Sequence, residues 1–254
     1  MSQLKAIGII PVRYDSSRFP GKPLVDIAGK SMIQRVYEQG KKTRLAEVVV
    51  ATDDERIYKE VERFGGKVVM TKKEHQSGTD RCAEAYRSID GDFEVVVNIQ
   101  GDEPFIQPEQ INALLASFES PQTQLATLVK KAYRETKIFD PNRVKVIFNK
   151  RHEAIYFSRT PLPYCKDLPN DQWPEIFEFF LHIGLYAYRP HILEEITQLE
   201  PTSMEKAESL EQLRWIQNGY RIRVVETEQE SDAIDHPEDL RRILARIESG
   251  DYIY

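Results

Sequence analysis

The sequence predicts an α/β fold, a mostly parallel sheet covered by helices on both faces, with a smaller subdomain inserted around 135–205. Three observations lead there. Residues 6–99 alternate short β-rich runs with helical patterns, which implies parallel strands joined by crossover helices. The 254 residues, 41% hydrophobic and 30% charged, are enough to bury a substantial core. The second half is less regular, with Pro161, Pro163, Pro169 and Pro174 marking an excursion over 160–174. No composition break is sharp enough for an independent second domain, so one domain over 1–254 carrying an insertion is expected.

Taken in order, 6–12 reads as a buried strand (Ile7, Ile9, Ile10, Val12). Residues 31–42 read as a helix with Met32, Ile33, Val36 and Tyr37 on one side. A strand at 47–52 leads to a helix at 54–64, ended by Gly65-Gly66 because glycine tolerates the left-handed cap. A third strand is expected at 67–70, a helix at 79–87, and the most apolar strand at 94–99. Residues 144–148 and 154–157 suggest a hairpin through Asn149-Lys150-Arg151. Residues 181–188 form an alternating strand, 204–218 a helix ended by Gly219, 220–227 a strand and 237–248 a last helix.

Composition excludes several classes. Thirty-five basic against 41 acidic residues give a net charge of −6, the wrong sign for a general nucleic-acid binder. Local basic clusters can still hold small anions. Cys82 and Cys165 lack zinc-site spacing and cannot form a disulfide framework, so both are expected to be reduced and structural. Apolar runs such as 94–99 and 177–188 are too short or too interrupted to span a bilayer. No secretory signal pattern opens the chain, so a cytoplasmic location is expected. Neither H-E-x-x-H nor G-x-S-x-G occurs.

In a parallel sheet, ligands bind outside the carboxyl ends of the strands. The connection after the first strand runs from Pro11-Val12-Arg13 to Arg18-Phe19-Pro20-Gly21-Lys22-Pro23-Leu24. Its cations Arg13, Arg18 and Lys22, serines and free amides suit a polyphosphate, although a solvated basic loop would look the same. Asp102 follows the fourth strand of the pattern, 94–99, in Gln100-Gly101-Asp102-Glu103-Pro104, where a hard oxygen ligand suits Mg²⁺ or an aspartate merely serves a turn. Asp90-Gly91-Asp92 precedes that strand and reads as a turn. Asp235, with Glu238 three residues on and a helix following, resembles a capping box; a metal ligand remains compatible, since one carboxylate oxygen stays free. Ser77-Gly78-Thr79-Asp80-Arg81 opens a helix and could hold a base or phosphate as well as cap it. The period of two on 181–188 places His182, Gly184, Tyr186 and Tyr188 on one face, suited to a polyhydroxylated ligand or to packing.

These segments, together with Ala51-Thr52-Asp53-Asp54, Asn98-Ile99-Gln100, Tyr156-Phe157-Ser158-Arg159, His182-Ile183-Gly184-Leu185-Tyr186 and Leu210-Glu211-Gln212-Leu213-Arg214, resemble the 3-deoxy-manno-octulosonate (Kdo) cytidylyltransferases over almost the whole chain. Each motif alone is modest; their order and spacing are highly specific. Small departures occur at Val12 and at His236 in Asp235-His236-Pro237. The resemblance implies a Rossmann-like nucleotidyltransferase sheet with an inserted dimerisation subdomain, a homodimer, and Mg²⁺-assisted transfer of CMP from CTP to the sugar acid for lipopolysaccharide assembly. Carried over by position, Arg13, Arg18 and Lys22 neutralise the triphosphate, and Ser77, Thr79, Arg81 and Gln100 hold the nucleotide. Asp102 and Asp235 hold Mg²⁺, and Lys22, Asp102 and Asp235 are the catalytic residues. Arg159, His182, Tyr186, Glu211 and Gln212 line the sugar side. Two alternatives stand beside this: a cytidylyltransferase for a related 2-keto acid sugar (8-amino-Kdo or a sialic acid), and a non-enzymatic nucleotide-binding protein on the same scaffold.

Overall fold

The structure, a computed structural model, describes residues 4–15, 19–133, 135–229 and 232–250. The chain divides into two compact units. One comprises residues up to Asn112 together with 230–254, and the other Ala113–Gln229.

The first unit begins with β1 (Ala6–Val12), whose consecutive buried residues mark a strand covered on both faces. A short turn at Lys22–Leu24 leads to a small hairpin, β2 (Asp26–Ile27) and β3 (Lys30–Ser31). Then come α1 (Met32–Lys41), β4 (Glu47–Thr52), α2 (Glu55–Arg63), β5 (Val68–Met70), α3 (Gly78–Ser88) and β6 (Val95–Asn98). The strands pair in the order β6-β1-β4-β5, all parallel, with Ile9 opposite both Val49 and Asn98. Each helix starts on a side-chain cap: Ser31 accepts from the Gln34 N–H, Asp54 from Arg56 and Ser77 from Asp80. Such caps satisfy amides left bare by the first helical turn. Between α1 and β4, and around the other crossovers, Met32, Ile33, Val36, Ile57, Val61, Cys82 and Ala83 are buried. The division between units falls within α4 (Pro108–Ala116).

The second unit contains β7 (Leu125–Lys131), β8 (Lys145–Phe148), β9 (Ala154–Ser158), one turn of helix α5 (Trp173–Ile176) and β10 (Phe180–Tyr188). It continues with α6 (Pro190–Ile196), α7 (Ser203–Glu208), α8 (Gln212–Gln217) and β11 (Arg223–Glu226). Its strands pair β11-β7-β10-β8-β9, and only the β11–β7 pair is parallel. The expected β8–β9 hairpin is present. Two expectations fail here. The single helix over 204–218 is two helices, broken at Ser209, whose φ of 52° is left-handed. Strict alternation on β10 is also interrupted: Ile183 faces Leu128 and Tyr186 faces Thr127, so Gly184 and Leu185 form a bulge. Both cysteines are free and buried, as expected.

The chain then returns to the first unit through α9 (Pro237–Glu248). Ile234 and Ile243 are fully buried in one cluster with Ile27, Met32 and Phe105, against which Phe19 and Val25 also pack. Burying two branched side chains of this size is worth roughly 3–6 kcal/mol. That packing is what carries the segment before α9 back to the loops following β1 and β6.

Candidate active site

Three of the groups singled out in the first unit meet: Lys22, Asp102 and Asp235. Lys22 Nζ donates to Asp102 Oδ2 at 3.0 Å and lies 3.5 Å from Asp235 Oδ1, partners 80 and 213 residues away in sequence. Three local features make this possible. Gly21, at φ 75°, turns the basic loop so that Lys22 begins a helical turn. Gly101 lets the loop after β6 press on β1, since a Cβ there would stand 2.2 Å from Val12 Cγ1 and 3.2 Å from the Pro11 carbonyl oxygen. Finally, the Ile234 N–H donates to the Asp102 carbonyl at 3.0 Å, which sets Asp235 beside Asp102. Lys22 is largely buried, whereas the side chains of Asp102 and Asp235 keep 33% and 43% of their exposure. The Lys22 ammonium thus meets two carboxylates that still face solvent.

The capping reading of Asp235 is corrected. The N-cap of α9 is His236, and the capping box runs to Asp239, not from Asp235 to Glu238. Asp239 Oδ2 accepts from both the His236 N–H at 2.9 Å and the Asp235 N–H at 3.1 Å. Proline explains the shift: Pro237 fits the first helical position, which leaves the residue before it as the cap. Asp235 is thus not required to cap, and its carboxylate reaches Lys22 instead.

Among the other groups expected to meet a nucleotide, Arg13 is exposed at the end of β1. Arg18 lies outside the described residues. Ser77 does cap α3, with Asp80 returning a bond to its N–H. Thr79 is buried in the same turn, and Gly78 packs against Pro11. Gln100 Nε2 donates to Asn98 Oδ1 at 3.2 Å. Arg81 is only 4% exposed, and its guanidinium donates to Thr71 Oγ1, to the Lys72 carbonyl and to Asp53. Those bonds tie it to the protein itself.

In the second unit, His182 and Tyr186 have ring centroids 5.3 Å apart despite the intervening bulge, and Tyr186 meets Trp215 edge-on at 5.1 Å. The bulge is held by Thr127, whose hydroxyl donates to the Leu185 carbonyl at 2.9 Å and lies 3.2 Å from that of Ile183. The same hydroxyl lies 3.0 Å from His182 Nε2, within hydrogen-bond distance. Part of the His182 residue remains accessible, but its ring is enclosed between Phe157 and Tyr186. Burial pushes its pKa down to about 3, so it is neutral near pH 7. Burial likewise pushes the Tyr186 phenol well up. The Tyr186 hydroxyl lies near Thr127 yet makes no hydrogen bond of good geometry, and Trp215 Nε1 is buried without a partner among the described residues. Buried polar atoms left open in this way are sites where a ligand can supply the missing bond.

Glu211 stands at the N-cap position of α8 with no side-chain capping bond, and Gln212, the first helical residue, is buried. Arg159 meets the preceding break. Its Nε donates to the Glu208 carbonyl at 2.6 Å, one Nη to Ser209 and the other to Pro141, while Glu208 Oε2 accepts from the Arg159 N–H. The carbonyls released where the helix breaks are thus taken up by a guanidinium. Sequence reasoning missed Thr127, Trp215 and Glu208. Nothing in their local sequence marks them; the Ala51-Thr52-Asp53-Asp54 motif, by contrast, was visible without a role.

Residues 7–224 match the cytidylyltransferase family model. A 3-deoxy-manno-octulosonate cytidylyltransferase of Parabacteroides distasonis is 56% identical over 246 residues, covering 95% of this chain and 98% of the relative. A protein of the same name from Cytophaga hutchinsonii is 54% identical over 244 residues, with 95% and 97% covered. Among solved structures, a CMP:2-keto-3-deoxy-manno-octonic acid synthetase complexed with CTP superposes with a TM-score of 0.89 at 41% identity, covering 97% of this chain and 99% of that one. With the family model spanning most of the chain and such relatives matched nearly end to end, the chain belongs to the 3-deoxy-manno-octulosonate cytidylyltransferases, a family of nucleotidyltransferases.

Proposed function

We propose that the chain transfers CMP from CTP to the anomeric hydroxyl of Kdo, releasing pyrophosphate and giving CMP-Kdo for lipopolysaccharide assembly. The observation that carries the chemistry is the Lys22 ammonium standing between Asp102 and Asp235 where loops after two parallel strands meet the segment before α9. Phosphoryl transfer needs in-line positioning and charge neutralisation more than covalent help. In this reading Arg13, Arg18 and Lys22 neutralise the triphosphate, and Lys22 meets the charge that grows on the leaving pyrophosphate. Ser77, Thr79 and Gln100 hold the nucleoside side. Arg81, bonded within the protein, orders the turn that carries them.

Two partly exposed carboxylates drawn to one ammonium fit a hard divalent cation, which takes oxygen ligands from one or two carboxylates and from substrate phosphates. Asp102 and Asp235 would hold Mg²⁺. When bound, the ion supplies charge neutralisation at the α-phosphate and lowers the pKa of a coordinated hydroxyl. No cluster of three or more His, Cys, Asp or Glu occurs among the described residues, so the remaining ligands in this reading are substrate oxygens and water.

On the second unit, His182, Tyr186 and Gln212 serve the sugar acid as neutral hydrogen-bonding groups. Glu211 accepts from its hydroxyls, and Arg159 lines the same side. A homodimer is part of the proposal. Tyr133, Phe139, Ile155, Tyr164, Ile176 and Phe177 are large, exposed and apolar, and all lie in the second unit. Exposed apolar patches of that kind favour association. No helix among the described residues is long and apolar enough to cross a membrane, and the cytosolic supply of CTP supports a cytoplasmic site of action. The test is pyrophosphate release across the four nucleoside triphosphates with Kdo, 8-amino-Kdo and a sialic acid. Release with CTP and Kdo is expected; equal turnover with any other acceptor, or none with Kdo, would overturn the assignment.

A further inference from the structure

Asp53 and Asp54 have no part in that mechanism, yet each is fully engaged. Asp53 Oδ2 accepts from Arg81 at 2.9 Å, and Arg81 also donates to Thr71 Oγ1 and to the Lys72 carbonyl, just beyond β5. Arg81 lies in the same turn of α3 as Ser77 and Thr79. Asp54 accepts from Arg56 Nε at 2.9 Å and Nη2 at 2.6 Å, a fork of two charge-assisted bonds. It also accepts from the Arg56 N–H, which caps α2. The Arg56 guanidinium so held stands over the Tyr14 ring, 3.2 Å from its centroid. The Tyr14 carbonyl accepts from the Gly21 N–H at 3.0 Å, and a Cβ at Gly21 would stand only 3.0 Å from the Tyr14 hydroxyl oxygen. Lys22 follows directly.

Topology gives this arrangement its reach. β4 lies between β1 and β5 in the sheet, so two adjacent carboxylates at its carboxyl end can serve the loops on either side. We infer that Asp53-Asp54 is a two-armed positioning device: Asp54, through Arg56 and Tyr14, sets the basic loop that carries Lys22, and Asp53, through Arg81, sets the first turn of α3. The inference rests on reading this unit as the nucleotide-binding half.

Full-length Asp54→Asn and Asp53→Asn separate the arms. Asparagine keeps the α2 cap, so Asp54→Asn removes the charged fork and not the helix start. Amide hydrogen exchange on the ligand-free proteins should rise in 13–15 and 19–22 for Asp54→Asn and in 71–81 for Asp53→Asn, each leaving the other arm unchanged. Binding should follow. Asp54→Asn should weaken CTP about 10-fold, the size of one lost charge-assisted hydrogen bond, with CMP unchanged, whereas Asp53→Asn should weaken both about 10-fold. Tyr14→Phe, which keeps the ring, should match the parent, and Tyr14→Ala should reproduce Asp54→Asn. Exchange that does not change, or that rises throughout both variants together with earlier melting, overturns the device. A parent protein that binds neither CTP nor CMP overturns the nucleotide reading instead, and exchange still judges the two arms.

Discussion

The two units solve the problem of holding a polar ligand in opposite ways. In the first, Lys22, Asp102 and Asp235, charged groups from three distant segments, meet beyond the carboxyl ends of the parallel strands β1 and β6. In the second, His182 and Tyr186 are neutral aromatic groups on a bulged strand with mostly antiparallel neighbours, where burial holds His182 uncharged and leaves the Trp215 N–H of α8 open. The difference teaches where each kind of site draws its strength. A loop site relies on charge that packing leaves exposed. A strand site relies on polar atoms that packing has already taken out of water, so each missing bond is worth more.

If that contrast holds, damage to the charged site should appear in turnover and hardly in stability. Asp102→Asn keeps size and removes the anion, and should lower kcat by about 100-fold or more. Near-normal pyrophosphate release at saturating Mg²⁺ would remove Asp102 from the mechanism. Asp235 sharpens the point, because His236 and Asp239 provide the cap. Asp235→Asn and Asp235→Ala should both cut turnover about 100-fold, yet both should unfold within roughly 0.5 kcal/mol of the parent. An alanine variant that alone loses about 1 kcal/mol would restore the capping role. Asp239→Ala, by contrast, should lose about 1 kcal/mol in denaturant unfolding.

The aromatic site should respond in substrate affinity. Tyr186→Phe deletes a buried hydroxyl without a well-formed bond. It should leave the ligand-free protein as stable or slightly more so, while raising KM for the sugar acid by up to about 10-fold at unchanged KM for CTP. Destabilisation with an unaltered sugar KM would make Tyr186 a packing residue.

A pH dependence tests the buried imidazole directly. His182 titrates at about 3 when folded against an ordinary 6.5, so between those values the unfolded chain binds the extra proton. Stability therefore falls as pH drops below 6.5, by up to about 1.4 kcal/mol per pH unit. Glu38, Glu60, Glu205 and Asp239, held low by hydrogen bonds and nearby cations, act in the same direction but only below their ordinary carboxylate range. Unfolding of the parent and of His182→Gln between pH 6.5 and 5 isolates the imidazole. The glutamine variant should lose that part of the slope, and superimposable slopes would show that His182 is not held neutral.

The order of strands and helices in the first unit was legible because its signals are local. Buried strands are continuous apolar runs, Ser31, Asp54 and Ser77 announce their helices, and Gly65 ends one. Cysteine count and spacing likewise settled that neither Cys82 nor Cys165 is a framework residue. In the second unit the local signals misled. The pattern over 204–218 favours one helix, but the break at Ser209 frees carbonyls whose acceptor capacity is met by Arg159, a residue far away in sequence. The pairing of Gly184-Leu185 was equally hidden, since the bulge depends on the Thr127 hydroxyl across the strand.

The sequence by itself determined the alternating α/β pattern, the candidate phosphate loop and, through the order and spacing of its motifs, the family. It did so because backbone propensity, caps and ligand-binding loops are encoded within a few consecutive residues. Only the tertiary structure decided what Asp235 does. Its neighbours in sequence suggested a cap, and Pro237 moved that role to His236. Its neighbour in space is Lys22, brought within 3.5 Å because Ile234 and Ile243 bury themselves against Ile27, Met32 and Phe105. Hydrophobic burial is non-directional and acts between segments of any separation, so the site it assembles cannot be read from any single stretch of the chain.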